Sequence, residues 1–138
     1  MTEGAKRVAA FCNRVIEYGR IAGELRHEEL GALEDAELAG VMPDAIAGNI
    51  RAEKIDYYDL YFTAKNQVYN LVTSTKGLTA KQARIIDLRF RKGWTWEKIR
   101  QRVGYSNWRC AQREAKKAYE KMAPVLDRLY PDYKIGDP

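Results

Sequence analysis

The chain has 138 residues, 46% of them hydrophobic, and carries 24 Lys/Arg against 19 Asp/Glu for a formal charge of +5. That length suits one domain, or a small domain with a helical arm, and the apolar content excludes general disorder. No apolar run approaches the roughly 18 residues of a membrane span, and the N-terminus MTEGAKRVAAFCNRV is charged through its apolar part, unlike a secretory leader, so a cytoplasmic protein without membrane contact is expected.

Residues 3 to about 29 place Val8, Phe11, Val15, Tyr18, Ala22 and Leu25 at alternating spacings of three and four, a heptad-like seam along one helix. Gly19 and Gly23 weaken that helix by roughly 1 kcal/mol each relative to Ala. A neighbour must therefore hold it, either an intrachain hairpin partner or a second copy in a dimeric coiled coil. Residues 30–42 mix Gly, Ala and acids and read as a short helix or loop. Glu34, Asp35 and Glu37 there have no basic partner or second ligand set nearby and read as a solvated face. Cys12 and Cys110 lie far apart without CxxC or Cys/His spacing, and His27 stands alone. Reduced thiols filling helix faces are expected, with no metal site and no cofactor.

Pro43 or Asp44 opens a second long helix running to about Thr73, since proline suits a first helical position and an acid suits the positive end of the dipole. It carries two apolar stripes. One holds Tyr57, Tyr61, Ala64, Val68 and Leu71, the other Ile55, Tyr58, Phe62, Tyr69 and Val72. An arc that wide predicts packing between two neighbours: the first helix, and either the C-terminal unit or a second subunit. The tyrosines invite a base-stacking role, but the acidity of this half repels phosphate and favours core or interface packing.

The polar segment 73–77 marks the best boundary, because the charge reverses across it. Residues 1–75 hold 8 Lys/Arg and 12 Asp/Glu, a net of −4, whereas residues 76–138 hold 16 and 7, a net of +9. Such a reversal is better explained by a polyanionic partner than by solubility. The expected organisation is a helical arm for packing or dimerisation over 1–75, a DNA-binding unit over 76–130, and an extended, mobile tail over 131–138, where Pro131 stops the helix.

Within the basic half, Thr79 caps a helix ending near Lys92, with Ile85, Leu88, Ile86 and Phe90 directed inward. Thr95 caps the next helix from Trp96, with Ile99 and Val103 on one face and Gly104 breaking it at positive φ. Ser106 is expected to cap the third helix, whose first buried candidate is Cys110. This is the order of a helix-turn-helix. Arg100 stands where most such motifs have Ala and must snorkel outward, and Arg113 stands where many have an aliphatic residue. Trp96 reads as a core wedge, bracketing Thr95 with Trp94. Trp108, on the flank of the third helix, either packs on the domain or touches a thymine methyl.

At 100° per residue, Ala111, Ala115, Ala118, Met122, Val125 and Leu129 share one side of the third helix, with Cys110 and Tyr119 at its edges. The other side carries Arg109, Gln112, Arg113 and Lys116, side chains able to fork onto guanine and adenine edges, with Lys117 on the border. Lys81, Arg84, Arg91, Lys92, Lys98, Ser106 and Lys117 are candidate phosphate contacts, which fix docking without selecting sequence.

The string LTAKQARIIDLRFRKGWTWEKIRQRVGYS resembles the fourth, promoter-binding region of bacterial sigma factors. Within that group it looks most like phage late-transcription activators of the RinA and ArpU type, on Leu78, Leu88-Arg89-Phe90, Gly93, Thr95-Trp96, Ile99 and Val103-Gly104-Tyr105-Ser106. The resemblance covers about a third of the chain and weakens after Ser106. It implies an all-α regulator that binds double-stranded DNA, activates phage or prophage late transcription, and contacts RNA polymerase as well. Two alternatives are a small DNA-packaging (terminase) subunit, which would form rings, and a protein-interaction module docking on RNA polymerase or a sigma factor. No glycine-rich phosphate loop, nucleophile beside a base, or usefully spaced carboxylate pair appears, so no catalytic residue is assigned and no enzyme is expected.

Overall fold

The computed structural model describes the backbone of residues 1–39 and 43–137 and the side chains of 1–26 and 57–137. These residues are all-helical: α1 (Glu3–Ala39), α2 (Pro43–Ser74), α3 (Ala80–Ile86) continued by a π-helical turn (Asp87–Arg91), α4 (Trp96–Val103) and α5 (Trp108–Leu129). The expectations for His27, Glu34, Asp35, Glu37 and Ile55 fall outside the described side chains.

The seam on α1 is buried as its spacing predicts, with Val8, Phe11, Val15, Ala22 and Leu25 inside and Tyr18 half-buried. Its main neighbour is α2, whose first stripe supplies Ala64, Val68 and Leu71 to the same core, so an intrachain hairpin satisfies the seam. Gly19 has a use in that packing. A Cβ there would lie 3.1 Å from the Tyr61 ring, so the missing side chain is what lets the ring lie against α1. Helix α1 runs on to Ala39 instead of ending near residue 29, consistent with the Ala, Leu and Glu content of 32–39. The second stripe of α2 is only partly covered by the chain: Val72 packs on the core and the Arg91 guanidinium lies over the Tyr69 ring, but Phe62 is 54% and Tyr69 50% exposed.

One continuous core crosses the charge boundary, joining Val8, Phe11 and Val15 of α1 and Val68 and Leu71 of α2 to Ile85, Ile86, Leu88, Phe90, Ile99, Met122 and Leu126. On a regular α-helix Leu88 would lie roughly 160° around from both Ile86 and Phe90. The π turn, closed by Lys92 N–H donating to the Asp87 carbonyl at 3.1 Å, inserts a residue and turns the phase by roughly 100°, keeping both Leu88 and Phe90 inward.

Helix α5 lies against α1, α3 and α4. Thr2 caps α1 through its hydroxyl, which accepts from Ala5 N–H at 3.1 Å and donates to the Glu120 carboxylate at 2.9 Å. A Cβ on Gly4 would lie 2.9 Å from that of Ala123, so α1 and α5 approach closely at this end. Pro124 sits inside α5 without ending it. The flanking Met122 and Leu126 are fully buried, and that packing outweighs the lost backbone hydrogen bond.

The tail past Pro131 is not extended as expected. Tyr133 N–H bonds back to the Tyr130 carbonyl at 3.2 Å, and Tyr130 and Tyr133 each set a ring centroid 5.1 Å from that of Phe11. The Arg7 guanidinium donates to the carbonyls of Tyr130 at 2.9 Å and Tyr133 at 2.8 Å and pairs with Asp127. A cation from α1 thus closes the negative end of α5 and holds the turn beyond it.

Candidate nucleic-acid interface

The α4–turn–α5 unit is built from local hydrogen bonds. Thr95 caps α4 as expected, its hydroxyl accepting from Lys98 N–H at 3.2 Å. Gly104 ends it at φ +84°, where Gly104 N–H and Tyr105 N–H both donate to the Arg100 carbonyl, at 2.9 and 3.0 Å. Arg100 does not simply run out to solvent. Its guanidinium pairs with Glu97 and donates to the Tyr105 carbonyl at 3.2 Å, clipping the turn from the position where an alanine is usual. The hydrogen bond that Arg100 donates to Glu97 holds that carboxyl below the ordinary carboxylate range.

The cap of α5 is Asn107 and not Ser106. Helix α5 starts at Trp108, which puts the Asn107 amide oxygen in reach of Cys110 N–H at 3.1 Å and leaves Ser106 one residue early, exposed in the turn. The inward face of α5 is also shifted from expectation. Ala111 is the first buried residue and Cys110 only half-buried; Tyr119 and Leu126 are inside, Val125 is half-buried and Leu129 is 37% exposed. The run Ala111, Ala115, Ala118, Met122, Leu126 follows the steps of three and four that a straight helix on a flat contact requires.

A buried amide seats this helix on α3. Gln82, 3% exposed, completes a capping box: its backbone N–H donates to the Thr79 hydroxyl and Thr79 N–H donates to its Oε1, both at 3.1 Å. Gln82 Nε2 also donates to Glu114 Oε1 at 2.9 Å, and Lys121 Nζ donates to Gln82 Oε1 at 2.8 Å. The T-x-x-Q spacing is legible in the sequence; the bonds to α5 are not. Arg89 joins the π turn to the loop before α4, donating to the Trp94 carbonyl at 3.0 Å with its guanidinium 4.9 Å from the Trp96 ring centroid. Burial lowers its pKa from the ordinary guanidinium value.

On the outward side of α5, Arg109, Arg113 and Lys116 are exposed and Gln112 half-exposed. Together with Trp108 they line one shallow depression. Among the described residues no ion pair or hydrogen bond engages the side chains of Arg109, Arg113 or Lys116, and Arg109 touches only the neighbouring Trp108 ring, 5.4 Å from its centroid. Lys117, on the border, pairs with Glu114 at 3.6 Å.

This chain matches no family model, no curated protein and no solved structure. What the surface can do follows from its side chains alone.

Beside Ser106 in the turn and Lys117 on α5, the other five candidate phosphate contacts separate into three groups. Lys81 and Arg84 border one depression with Arg102 and Val103, Lys81 lying 4.6 Å from the Tyr105 ring centroid in the turn. Arg102 was not singled out, although it stands four residues after Lys98 and so on the same face of α4. Lys98 is exposed, its ammonium 4.1 Å from the Trp94 ring centroid at the start of α4. Arg91 and Lys92 are placed elsewhere. They border a recess with Val15, Gly19 and Tyr61, and Arg91 is engaged by Asp87 at 2.7 Å and by the Tyr69 ring at 4.8 Å. The π turn carries these two toward α1 and α2, and no described contact joins them to the α5 face. The arrangement therefore presents a row of donors on α5 beside a cationic cluster at the turn. It suits a rigid polyanion with hydrogen-bonding edges, and among the described residues no carboxylate, Cys and His group is spaced to hold a metal ion.

Proposed function

We propose that this chain is a sequence-specific double-stranded DNA-binding regulator whose α4–turn–α5 unit is a helix-turn-helix with α5 as the reading helix. The observation that carries the reading is the outward row Arg109, Gln112, Arg113 and Lys116, whose arginine and lysine side chains have no carboxylate partner and form a donor array unused by the fold. An arginine fork matches guanine O6 and N7, and the Gln112 amide matches adenine N6 and N7. Lys81, Arg84, Arg102 and Lys98 supply phosphate contacts. The resemblance to RinA- and ArpU-type activators gives the biological setting: activation of phage or prophage late transcription. The half-exposed Phe62 and Tyr69 on α2 support a protein partner beside the DNA, either RNA polymerase or a second copy of the chain.

The test is an Arg109→Ala, Arg113→Ala double variant titrated against a duplex enriched from a random pool, at two or more salt concentrations. Loss of roughly two phosphate- or base-directed charges lowers affinity by about tenfold or more and flattens the salt slope by about 2. Unchanged affinity and slope would refute the assignment of α5 as the reading helix. Ring assembly seen by native mass measurement would favour DNA packaging over activation.

A further inference from the structure

We propose that Trp108 is the apolar part of the base-reading surface, its indole lying against the 5-methyl group of a thymine adjacent to the guanine that Arg109 engages. This rests on the DNA-reading assignment above and extends it to a specific step.

The three tryptophans are used differently. Trp94 and Trp96 pack against the core and each carries a cation over its ring, Lys98 and Arg89 respectively. Trp108 is 41% exposed and stands outside that core-packed set. It is the first residue of α5, directly after the Asn107 cap, so the fold holds the ring at the tip of the helix without covering it. Gln112 lies four residues on and shares its face, and Trp108 lines the same depression as Arg109, Gln112, Arg113 and Lys116. The indole N–H has no acceptor among the described residues.

A large, 41%-exposed apolar ring among four polar side chains is placed to meet an apolar group on the surface those side chains face. In the major groove the only such group is the thymine methyl. The Arg109 guanidinium, 5.4 Å from the ring centroid, is held beside the indole by cation–π attraction. The pair thus presents an apolar plane next to a bidentate donor, which matches thymine next to guanine.

The experiment enriches a duplex from a random pool with the full chain and replaces each thymine in turn by deoxyuridine, which removes only the methyl. Binding of the native chain and of Trp108→Ala is then measured by fluorescence anisotropy, with circular dichroism melts confirming that the variant is folded. One replacement should weaken the native chain by about fourfold, the worth of one buried methyl, and leave Trp108→Ala unaffected. If no thymine shows that penalty, or if the penalty persists in Trp108→Ala, the role of Trp108 is overturned while DNA reading stands. If the pool yields no enriched duplex at all, the DNA-reading assignment falls and takes this inference with it.

Discussion

Gln82 donates to Glu114 across 2.9 Å from a residue only 3% exposed, joining the first turn of α3 to the second turn of α5. The same amide oxygen receives Lys121 and the Thr79 backbone N–H, so one buried residue caps one helix and registers another.

Gln82→Leu roughly preserves volume and removes every one of these bonds, leaving the Thr79 N–H and the Lys121 ammonium without their acceptor and Glu114 with only its Lys117 pair. The expected loss of stability is about 1–3 kcal/mol, read as a lower urea midpoint with an unchanged m-value. An unchanged midpoint would mean that water replaces the amide without cost.

Arg7 closes the end of α5 with bonds to the carbonyls of Tyr130 and Tyr133 and a pair to Asp127. Arg7→Ala should destabilise by about 1–2 kcal/mol, since both a helix-end cation and charge-assisted bonds are lost. Arg7→Lys should recover only part, because a single ammonium cannot span the acceptors that the fork reaches. Limited proteolysis offers a second readout: trypsin should cut after Lys134 faster in Arg7→Ala than in the native chain.

At Gly104 a Cβ would meet nothing within 4 Å, so the constraint is backbone conformation alone, at φ +84°. Gly104→Ala should cost about 1–2 kcal/mol, and Gly104→Asn less, because asparagine tolerates the left-handed region. Equal thermal melts for Gly104→Ala and the native chain would show that the turn relaxes to another geometry.

Cys12 is wholly buried, and burial pushes its thiol from 9.0 up to about 12. An acid whose pKa is raised by folding keeps its proton in the native state while the unfolded chain loses it. Its contribution to stability is therefore unaffected below the ordinary value and falls as pH rises from 9.0 toward about 12. Urea midpoints across that window should drop more steeply for the native chain than for Cys12→Ala. At pH 8, iodoacetamide should modify the half-buried Cys110 before Cys12, as peptide mass mapping would show.

The sequence by itself determined the helices, most of their inward faces and the turn chemistry. The α1 seam, the Thr79 and Thr95 caps and the left-handed Gly104 all depend on residues within about four positions of one another. The outward row on α5 was legible for the same reason, since one helical period fixes which side chains share a side. Where local signals compete, they mislead by a residue. Ser106 and Asn107 are both good caps, and α5 starts from Asn107. Tertiary structure alone decided what covers each face. Arg7 finds Tyr133 across 126 positions of chain, Gln82 finds Glu114 across 32, and Phe62 and Tyr69 on the second stripe of α2 stay half-exposed. Such pairings depend on how whole helices stack to bury apolar area, a sum over the entire core that no short window of residues contains.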